Sequence, residues 1–291
     1  MIVQKKQGYI YKLAIIRRYV LMILLALIFA LPIIYMVVSS LKPYWQILQD
    51  ISSIRAFLPV GDLSFANFEE AFRRTPVARF LTNSVLVTSL TVISGLFVNS
   101  MAGFALSRLK WKGQQLLLSV IIATIIIPFE TIAIPLLFIV NNLPWFDVNG
   151  VTIGWFDSYH VQIIPFVADA FSIYLFVQFF KGLPEELLEA ARIDGANWFQ
   201  VFLWVIVPLS KPVYATVAIL RFLAMWNQYL WPALVIQTNE FRPIMVGFGY
   251  FSGWGGVSMA YLTIATFPVL ILFFVFQHSF IKAIGTTSFT G

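Results

Sequence analysis

The sequence predicts an all-α, polytopic membrane protein with six transmembrane helices. Of the 291 residues, 60% are hydrophobic and only 11% are charged, and the mean hydropathy is +0.86. Soluble globular domains carry about 25% charged residues, so this composition excludes that class. Crossing about 30 Å of hydrocarbon takes roughly 20 apolar residues. Six such runs occur, at residues 19–41, 80–106, 116–140, 161–180, 205–236 and 259–281.

Lysine and arginine fall unequally on the two sides of these spans. Twelve border the side that carries both chain ends, the second-to-third connection and the fourth-to-fifth connection. Six border the opposite side, where seven acidic residues offset them. Because Lys and Arg concentrate on the cytoplasmic side, both termini are predicted to be cytoplasmic. The net charge of +6 is thus explained by membrane topology, and no nucleic-acid partner is expected, since the basic residues form no single patch.

The chain is expected to form one transmembrane domain over residues 19–281, between a cytoplasmic N-terminal segment, 1–18, and a cytoplasmic tail, 282–291. The first apolar run is longer than a signal-peptide core and is not followed by a cleavage site, so it is interpreted as a span. The segment from 42 to 79 is placed on the outer surface, either as a solvated linker or as a contact for an external partner. With no Cys, HExxH, GxSxG or Walker glycine loop, the sequence predicts no catalytic residue and no metal site.

The connection between spans four and five, residues 181–208, is predicted to hold a bent helical pair. Pro184 suits the first turn of a helix, and the two glutamates after it favour the positive end of the helix dipole. Gly195 is expected to end this helix in the left-handed conformation. Asn197 and Gln200 have the spacing of an N-cap and its N3 partner, which opens the second helix.

Small side chains are expected on the exposed shoulder of this pair. Ala190 and Ala191 let another backbone approach closely, and Glu189 beside them offers a charge for a basic partner. The pattern therefore predicts a docking surface. The alternative interpretation is an ordinary interfacial helix.

Three ionisable residues fall inside predicted spans: Glu130, Asp169 and Arg221. Each costs about 2.5–3.5 kcal/mol at a helix centre on insertion scales, so each is expected to face protein or water. Two interpretations stay open, a functional role or mutual pairing of Asp169 with Arg221. Arg221 is also near enough to a helix end to extend toward the membrane surface.

Two prolines, Pro128 and Pro135, each preceded by isoleucine, lie in the third predicted span. Proline removes a backbone hydrogen bond and kinks a helix. The span is therefore expected to be kinked, either as a bend or gate or only for packing.

Aromatic and amide groups alternate near the outer half of span five, at Trp226, Asn227 and Tyr229. Aromatic faces stack on the C–H faces of sugars, and amides bind sugar hydroxyls, so these residues are predicted to line a substrate pathway. An interfacial aromatic belt explains the Trp and Tyr equally well, and a helix-packing hydrogen bond explains Asn227.

The fourth-to-fifth connection also resembles a known signature. Glu189-Ala190-Ala191, Gly195 and the aliphatic residues before Pro208 are similar to the signature loop of permease subunits in ATP-binding-cassette importers, with Val205 and Val207 where the family has Ile and Leu. Other motifs over nearly the whole chain resemble the second permease subunit of the carbohydrate-importing, maltose-type branch. These are Asn83-Ser84, Gly103 to Arg108, Trp111 to Gly113, the Ile-Pro pairs of span three, Trp226-Asn227, Ala260, Phe267-Pro268 and Gln277. The tail from 285 to 291 departs from the family pattern, which puts tail contacts with the ATPase in doubt.

The resemblance implies a carbohydrate importer in the bacterial plasma (inner) membrane. Its partners would be a second, different permease subunit, two ATP-binding subunits and an external solute-binding protein, with ATP and magnesium on the ATPase. Glu189 would contact a basic ATPase residue, Ala190 and Ala191 would fit its cleft, and Gly195 would set the bend of a loop that ends at Pro208. ATP-driven closure would then move the spans by alternating access.

Two other classes of protein compete with this interpretation. One is a secondary transporter of a small polar solute, which needs ion-coupling groups and usually a repeat. The other is a membrane-embedded enzyme.

Overall fold

The structure is a computed structural model that describes the backbone of residues 2–147, 150–251, 253 and 255–287. Side chains are described for residues 15–146, 150–251, 253 and 255–276. The structure is 75% helical, as the all-α prediction requires. The helices are α1 Ile2–Ser40, α2 Tyr44–Asp50, α3 Ala66–Arg74, α4 Val77–Ser107, α5 Gln114–Thr124, α6 Phe129–Asn142, α7 Tyr159–Ile163, α8 Ala170–Lys181, α9 Glu185–Ile193, α10 Trp198–Val201, α11 Val207–Leu209, α12 Lys211–Trp226, α13 Leu230–Val235, α14 Ile244–Gly247 and α15 Gly256–Thr287.

One short hairpin was not predicted. Strands β1, Pro144–Asp147, and β2, Gly150–Ile153, pair antiparallel, with Phe146 opposite Val151. The remaining regular segments are a π-helical turn, Phe202–Ile206, and the 3-10 turns Ile54–Phe57, Ile164–Phe166 and Phe248–Tyr250.

The six predicted apolar segments all reappear, but only some as unbroken helices. Among the described residues, three straight helices are long and apolar enough to cross a membrane: Ile15–Ser40, Val77–Ser107 and Gly256–Phe276. The other three segments are bent helix pairs. These are Gln114–Thr124 with Phe129–Asn142, Tyr159–Phe166 with Ala170–Lys181, and Trp198–Leu209 with Lys211–Trp226, bent by 104°, 41° and 81°.

The third span is broken rather than kinked. Helix α5 ends at Thr124 and α6 starts after Pro128, whose backbone is extended at φ −61° and ψ 139°. Proline lacks an N–H and disfavours helical backbone in the residue before it, which separates the two helices. Pro135 remains inside α6. The expected pair of proline kinks is therefore one sharp turn of 104° at the first proline.

The predicted fifth span, 205–236, was too long. The chain turns by 81° at Ser210, and Pro212 stands in the first turn of α12. Helix α12 then ends at Trp226, and α13 follows as a separate short helix. An apolar pattern continues through such a bend because hydropathy carries no information about direction.

The chain divides into two compact units. The first comprises Met1–Thr75 and Phe248–Thr266. In it, the Asn67 amide donates to the carbonyl oxygens of Ser40 and Lys42 at 2.9 and 2.8 Å. The segment that follows α1 is thus folded, which argues against the solvated-linker interpretation.

The second unit comprises Pro76–Gly247 and Phe267–Gly291. Helix α4 packs along α8 and α12. The side chains of this core are Phe104, Phe176, Phe180, Leu188, Val201, Phe202, Ile206, Val213 and Val217. Close approach of α4 to α8 needs Gly103, because a Cβ there would lie 2.6 Å from the Cβ of Phe176.

We expect Gly103→Ala to lower the melting temperature of the purified protein. Overpacking costs about 1–3 kcal/mol, more than the roughly 0.5–1 kcal/mol that Ala gains over Gly within a helix. The matched control is Gly249→Ala, where nothing lies within 4 Å of the added methyl group. Equal melting temperatures for the two variants would contradict close α4–α8 packing.

Candidate functional site: the loop between spans four and five

The first helix of the loop, α9, has one buried face and one exposed face. Leu188 is buried in the core of the second unit, while Glu189 and Ala190 are exposed and Ala191 is half-buried. Pro184 stands just before the helix with extended backbone, one position earlier than predicted. The helix is therefore held by Leu188 and presents the residues of the signature on its outer side.

A left-handed glycine ends α9, as predicted. Gly195 has φ +86°. Its N–H donates to the carbonyl of Arg192 at 3.1 Å, and the N–H of Ala196 donates to the carbonyl of Ala191 at 3.0 Å. These are the two bonds of a Schellman motif. The chain therefore leaves the helix in a fixed direction.

The second helix opens with the expected capping box. The Asn197 side chain accepts from the N–H of Gln200 at 2.9 Å, and the Gln200 side chain accepts from the N–H of Asn197 at 2.8 Å. The helix continues to Leu209 through the π-helical turn. Pro208 has no N–H to offer the carbonyl of Trp204, four residues back, which weakens regular α-helical bonding there.

Arg108, at the end of α4, ties this loop to the bundle. Its Nε donates to the carbonyl of Phe180 at 2.9 Å, and its Nη2 reaches the carbonyls of Phe180 and Leu183. On the exposed surface of the loop, the Arg192 guanidinium lies 4.9 Å from the Trp198 ring centre. In the sequence, Arg108 counted only as one of the basic residues and as the last residue of the motif Gly103 to Arg108. That motif was the available signal for a structural role of Arg108.

A cavity of about 340 Å³ opens beside the signature residues. Its walls are Arg108, Glu185, Leu188, Glu189, Arg192, Ile193 and Trp198. Ile193 is 86% exposed at the edge of this cavity. The surface thus combines exposed apolar groups with two glutamates and two arginines.

Two of the three intramembrane charges form a pair. Arg221 is buried, and its Nη1 lies 3.4 Å from Oδ1 of Asp169. Arg221 also donates to the carbonyl of Phe166, and Asp169 Oδ2 caps α8 by accepting from the N–H of Ser172 at 2.8 Å. The pairing interpretation is therefore observed, and Arg221 does not extend to the membrane surface.

Asn99, which the sequence analysis missed, completes this cluster. Its amide donates to the carbonyl of Val167 and its oxygen accepts from the N–H of Asp169, both at 2.9 Å. The signal available in the sequence was an amide residue within a long apolar segment, and the structure shows that Asn99 is fully buried. Glu130 lies elsewhere, exposed in the first turn of α6, and no described residue pairs with it.

The predicted pathway residues differ in environment. Trp226 is buried and stacks on Phe222, with ring centres 5.4 Å apart. Asn227 is exposed and donates to the carbonyl of Leu223 at 2.8 Å, while Tyr229 is exposed. A role in the pathway stays a prediction for all three. In the described part of the chain, no group of three His, Cys, Asp or Glu residues is placed to hold a metal ion.

Comparison with known proteins identifies the family. Residues 77–286 match the model of the binding-protein-dependent transport system inner membrane component. The chain belongs to this family, which makes it an inner-membrane transport component and confirms the predicted class of protein.

Curated relatives extend over nearly the full chain. The lactose transport system permease protein of Rhizobium radiobacter is 28% identical over 91% of this chain and 93% of its own. The arabinooligosaccharides transport system permease protein of Bacillus subtilis is 28% identical over 90% of each chain. The sn-glycerol-3-phosphate transport system permease protein of Brucella abortus is 30% identical over 92% of this chain and 95% of its own.

A solved structure supports the fold. The crystal structure of a bacterial ABC transporter involved in the import of the acidic polysaccharide alginate superposes with a TM-score of 0.75 and 23% identity, over 90% of this chain and 95% of that chain. The polytopic helical architecture described above is therefore a known one.

We expect Arg221→Met to destabilise the protein more than the double variant Asp169→Asn with Arg221→Met. The single change leaves a half-buried carboxylate without its cation, whereas the double change removes both charges and keeps a capping oxygen for Ser172. The loss should stay below the roughly 3–5 kcal/mol of a fully buried pair, since the Asp169 side chain is 27% exposed. Thermal unfolding in detergent measures both variants, and a double variant less stable than the single one would contradict the pairing.

Proposed function

We propose that this chain is a permease subunit of an ATP-driven importer for a carbohydrate, and that the carbohydrate is an oligosaccharide. Family membership supplies the transport role, and the named relatives for lactose and arabinooligosaccharides favour the carbohydrate class. The observation that supports the coupling part is the loop between spans four and five, whose helix ends are set by the Gly195 turn and the Asn197 capping box. It projects Glu189 and its small neighbours while its base is bonded to α4 and α8.

The proposed assembly contains a second, different permease subunit, two ATP-binding subunits and an external solute-binding protein. ATP and magnesium are assigned to the ATPase, because the sequence has no glycine loop to cradle phosphates. Both termini are placed in the cytoplasm of a bacterium, on the side favoured by the distribution of Lys and Arg. The division into segments 1–18, 19–281 and 282–291 belongs to this proposal. Of the divergent tail, residues 288–291 lie outside the described residues.

In the proposed mechanism, the ATPase binds the signature face of α9. Glu189 pairs with a basic residue, and Ala190 and Ala191 allow close approach of the partner backbone. Gly195 fixes the angle between α9 and the helix that ends near Pro208. Closure of the ATPases then moves this bent unit as one body, and the spans alternate between inward-open and outward-open arrangements.

A secondary transporter is the less suitable class. Of the three intramembrane charges, Asp169 and Arg221 neutralise each other and serve the backbone at a helix break. They are then poorly suited to bind and release a coupling ion. Glu130 alone remains for such a role.

For the pathway, we propose that Asn227 and Tyr229 face the substrate with their free groups. The amide nitrogen of Asn227 serves its own helix, which leaves its oxygen as an acceptor for a sugar hydroxyl. Tyr229 offers an exposed ring for stacking. Trp226, stacked on Phe222, would support this site from behind.

Charge reversal of Glu189 is expected to abolish uptake without removing the protein from the membrane. Glu189→Lys places a cation against the basic residue of the ATPase, so ATPase should no longer copurify. Glu186→Lys is the matched control, because Glu186 lies on the same helix and is equally exposed. Retained ATPase and normal uptake in Glu189→Lys would refute the assignment of the loop.

Asn227→Ala tests whether Asn227, at the end of α12, binds substrate or only caps the helix. If the residue binds substrate, uptake per assembled complex should fall while basal ATP hydrolysis stays unchanged. The control is Gln228→Ala, which replaces the neighbouring amide. Unchanged uptake per complex, with lower yield and melting temperature, would show that Asn227 only caps its helix.

A further inference from the structure

A second polar cavity lies in the first unit, far in sequence from the loop and the pathway residues. It has a volume of about 540 Å³ and opens between helix α2 and the segment Leu58 to Asp62. Pockets of this size, between about 300 and 1,000 Å³, commonly hold small molecules. From the sequence, the segment that forms it is expected to be either a solvated linker or a contact for an external partner.

Buried polar groups fix the wall of this cavity. Gln46 is buried, and its amide nitrogen donates to the carbonyl of Val60 at 2.6 Å while its oxygen accepts from the N–H of Asp62 at 2.9 Å. Gly61 has φ +89°, and a Cβ there would collide with the Gln46 amide. The loop therefore lies against α2 in a defined position.

A buried ion pair stands behind the same wall. The Lys42 ammonium is fully buried and donates to Asp50 Oδ2 at 2.8 Å and to the carbonyl of Arg55 at 2.6 Å. The hydrogen bond from Lys42 lowers the pKa of the Asp50 carboxyl below its ordinary value. Asp50 therefore stays ionised at neutral pH, and one of its oxygens, Oδ1, keeps acceptor capacity.

Several polar groups of the cavity have no hydrogen-bond partner in the described part of the chain. Among the described residues, none bonds to the side chains of Gln49 and Asp62, and none accepts a hydrogen bond from the Arg55 guanidinium. The ring of Trp45 is 51% exposed on the same cavity. The cavity thus offers the aromatic face of Trp45 beside a hydrogen-bond donor, Arg55, and an acceptor, Asp62. The Gln49 amide can both donate and accept.

The charges of the cavity are balanced. Asp50 and Asp62 are offset by Lys42 and Arg55, so neither a cation nor an anion gains net attraction. A divalent cation also needs six or more oxygen ligands in the case of calcium, and the ammonium of Lys42 lies 2.8 Å from the Asp50 oxygen. A neutral ligand rich in hydroxyl groups, with an apolar face for the indole, suits these groups best.

We infer that this cavity is a saccharide-binding subsite on the outer face of the protein, formed by Trp45, Gln49, Asp50, Arg55 and Asp62. The ligand class is a neutral oligosaccharide, with one sugar ring stacked on Trp45 and its hydroxyls bound by Gln49 and the charged groups. The choice of ligand rests on the proposed carbohydrate function.

The test measures sugar binding directly. The full-length chain, purified with its coexpressed partner subunits in lipid nanodiscs and without the solute-binding protein, is studied by saturation-transfer difference NMR with lactose, maltotriose and arabinotriose. The variants are Trp45→Ala, Trp45→Phe and Gln49→Ala. Leu48→Ala is the matched control, because Leu48 is exposed on the same helix but does not line the cavity.

At least one saccharide should give a signal in the wild type. Trp45→Ala and Gln49→Ala should weaken its binding about fivefold to tenfold, where tenfold corresponds to about 1.4 kcal/mol. Trp45→Phe should keep part of the binding, because it keeps an aromatic ring. Leu48→Ala should bind as the wild type does. No signal with any of the three sugars, or equal binding in all variants, overturns the inference. Stronger binding of sn-glycerol 3-phosphate at these residues overturns the assignment of a neutral ligand.

Uptake tests the proposed function separately. A wild-type importer that takes up a carbohydrate while Trp45→Ala and Gln49→Ala bind it normally retains the proposed function and refutes the subsite. A wild-type importer that takes up no carbohydrate refutes the proposed function, whatever the NMR result.

Discussion

The backbone polar groups freed at breaks in the helices must find partners, and that requirement organises the second unit of this protein. In hydrocarbon an unsatisfied N–H or C=O costs several kcal/mol. Span four breaks after Phe166, and the groups freed there bind the side chains of Asn99 and Arg221. At the other end of α8, the carbonyls of Phe180 and Leu183 are bound by Arg108. Polar residues within the apolar segments therefore form hydrogen bonds with backbone groups that lack a helical partner at the breaks.

The same bonds give the loop between spans four and five a firm base. Arg108 directly follows α4, and it binds the end of α8 and the start of the loop. Leu188 and Phe202 bury their side chains in the core that Phe104 shares. The described contacts thus join α9 to α4 and α8, through Leu188 in the shared core and Arg108 at the base of the loop. This is the mechanical condition for the proposed coupling to ATP hydrolysis.

Charge is used in two opposite ways in this unit. Asp169 and Arg221 are withdrawn from solvent, and their mutual attraction together with hydrogen bonds to the backbone offsets the cost of desolvation. Glu189 is exposed and no described residue pairs with it, so it keeps its hydration. A partner that brings a cation can therefore gain a new interaction at Glu189, whereas Asp169 and Arg221 already interact with each other and with the backbone. The difference in burial separates a structural pair from a docking charge.

Features that depend on residues a few positions apart could be predicted from the sequence. The capping box of Asn197 and Gln200, the left-handed stop at Gly195 and the six apolar segments are of this kind, because helix ends and amphipathic patterns are local. The family signature is local as well. The contact of Asp169 with Asn99 could not be predicted, because Asn99 lies 70 residues away along the chain. The pairing of Asp169 with Arg221 was one of the alternatives that the sequence left open.

Only the tertiary structure decided the directions of the helices and the partners of the buried polar groups. Hydropathy is equal for a straight helix and for one bent by 104° at Pro128 or by 81° at Ser210. The hairpin after α6 and the packing of Gln46 under Gly61 depend on contacts that no periodic pattern encodes. The sequence by itself determined the six apolar segments and the local helix ends at Gly195 and Asn197. The structure determined how they bend and what satisfies them, because those depend on close packing between distant parts of the chain.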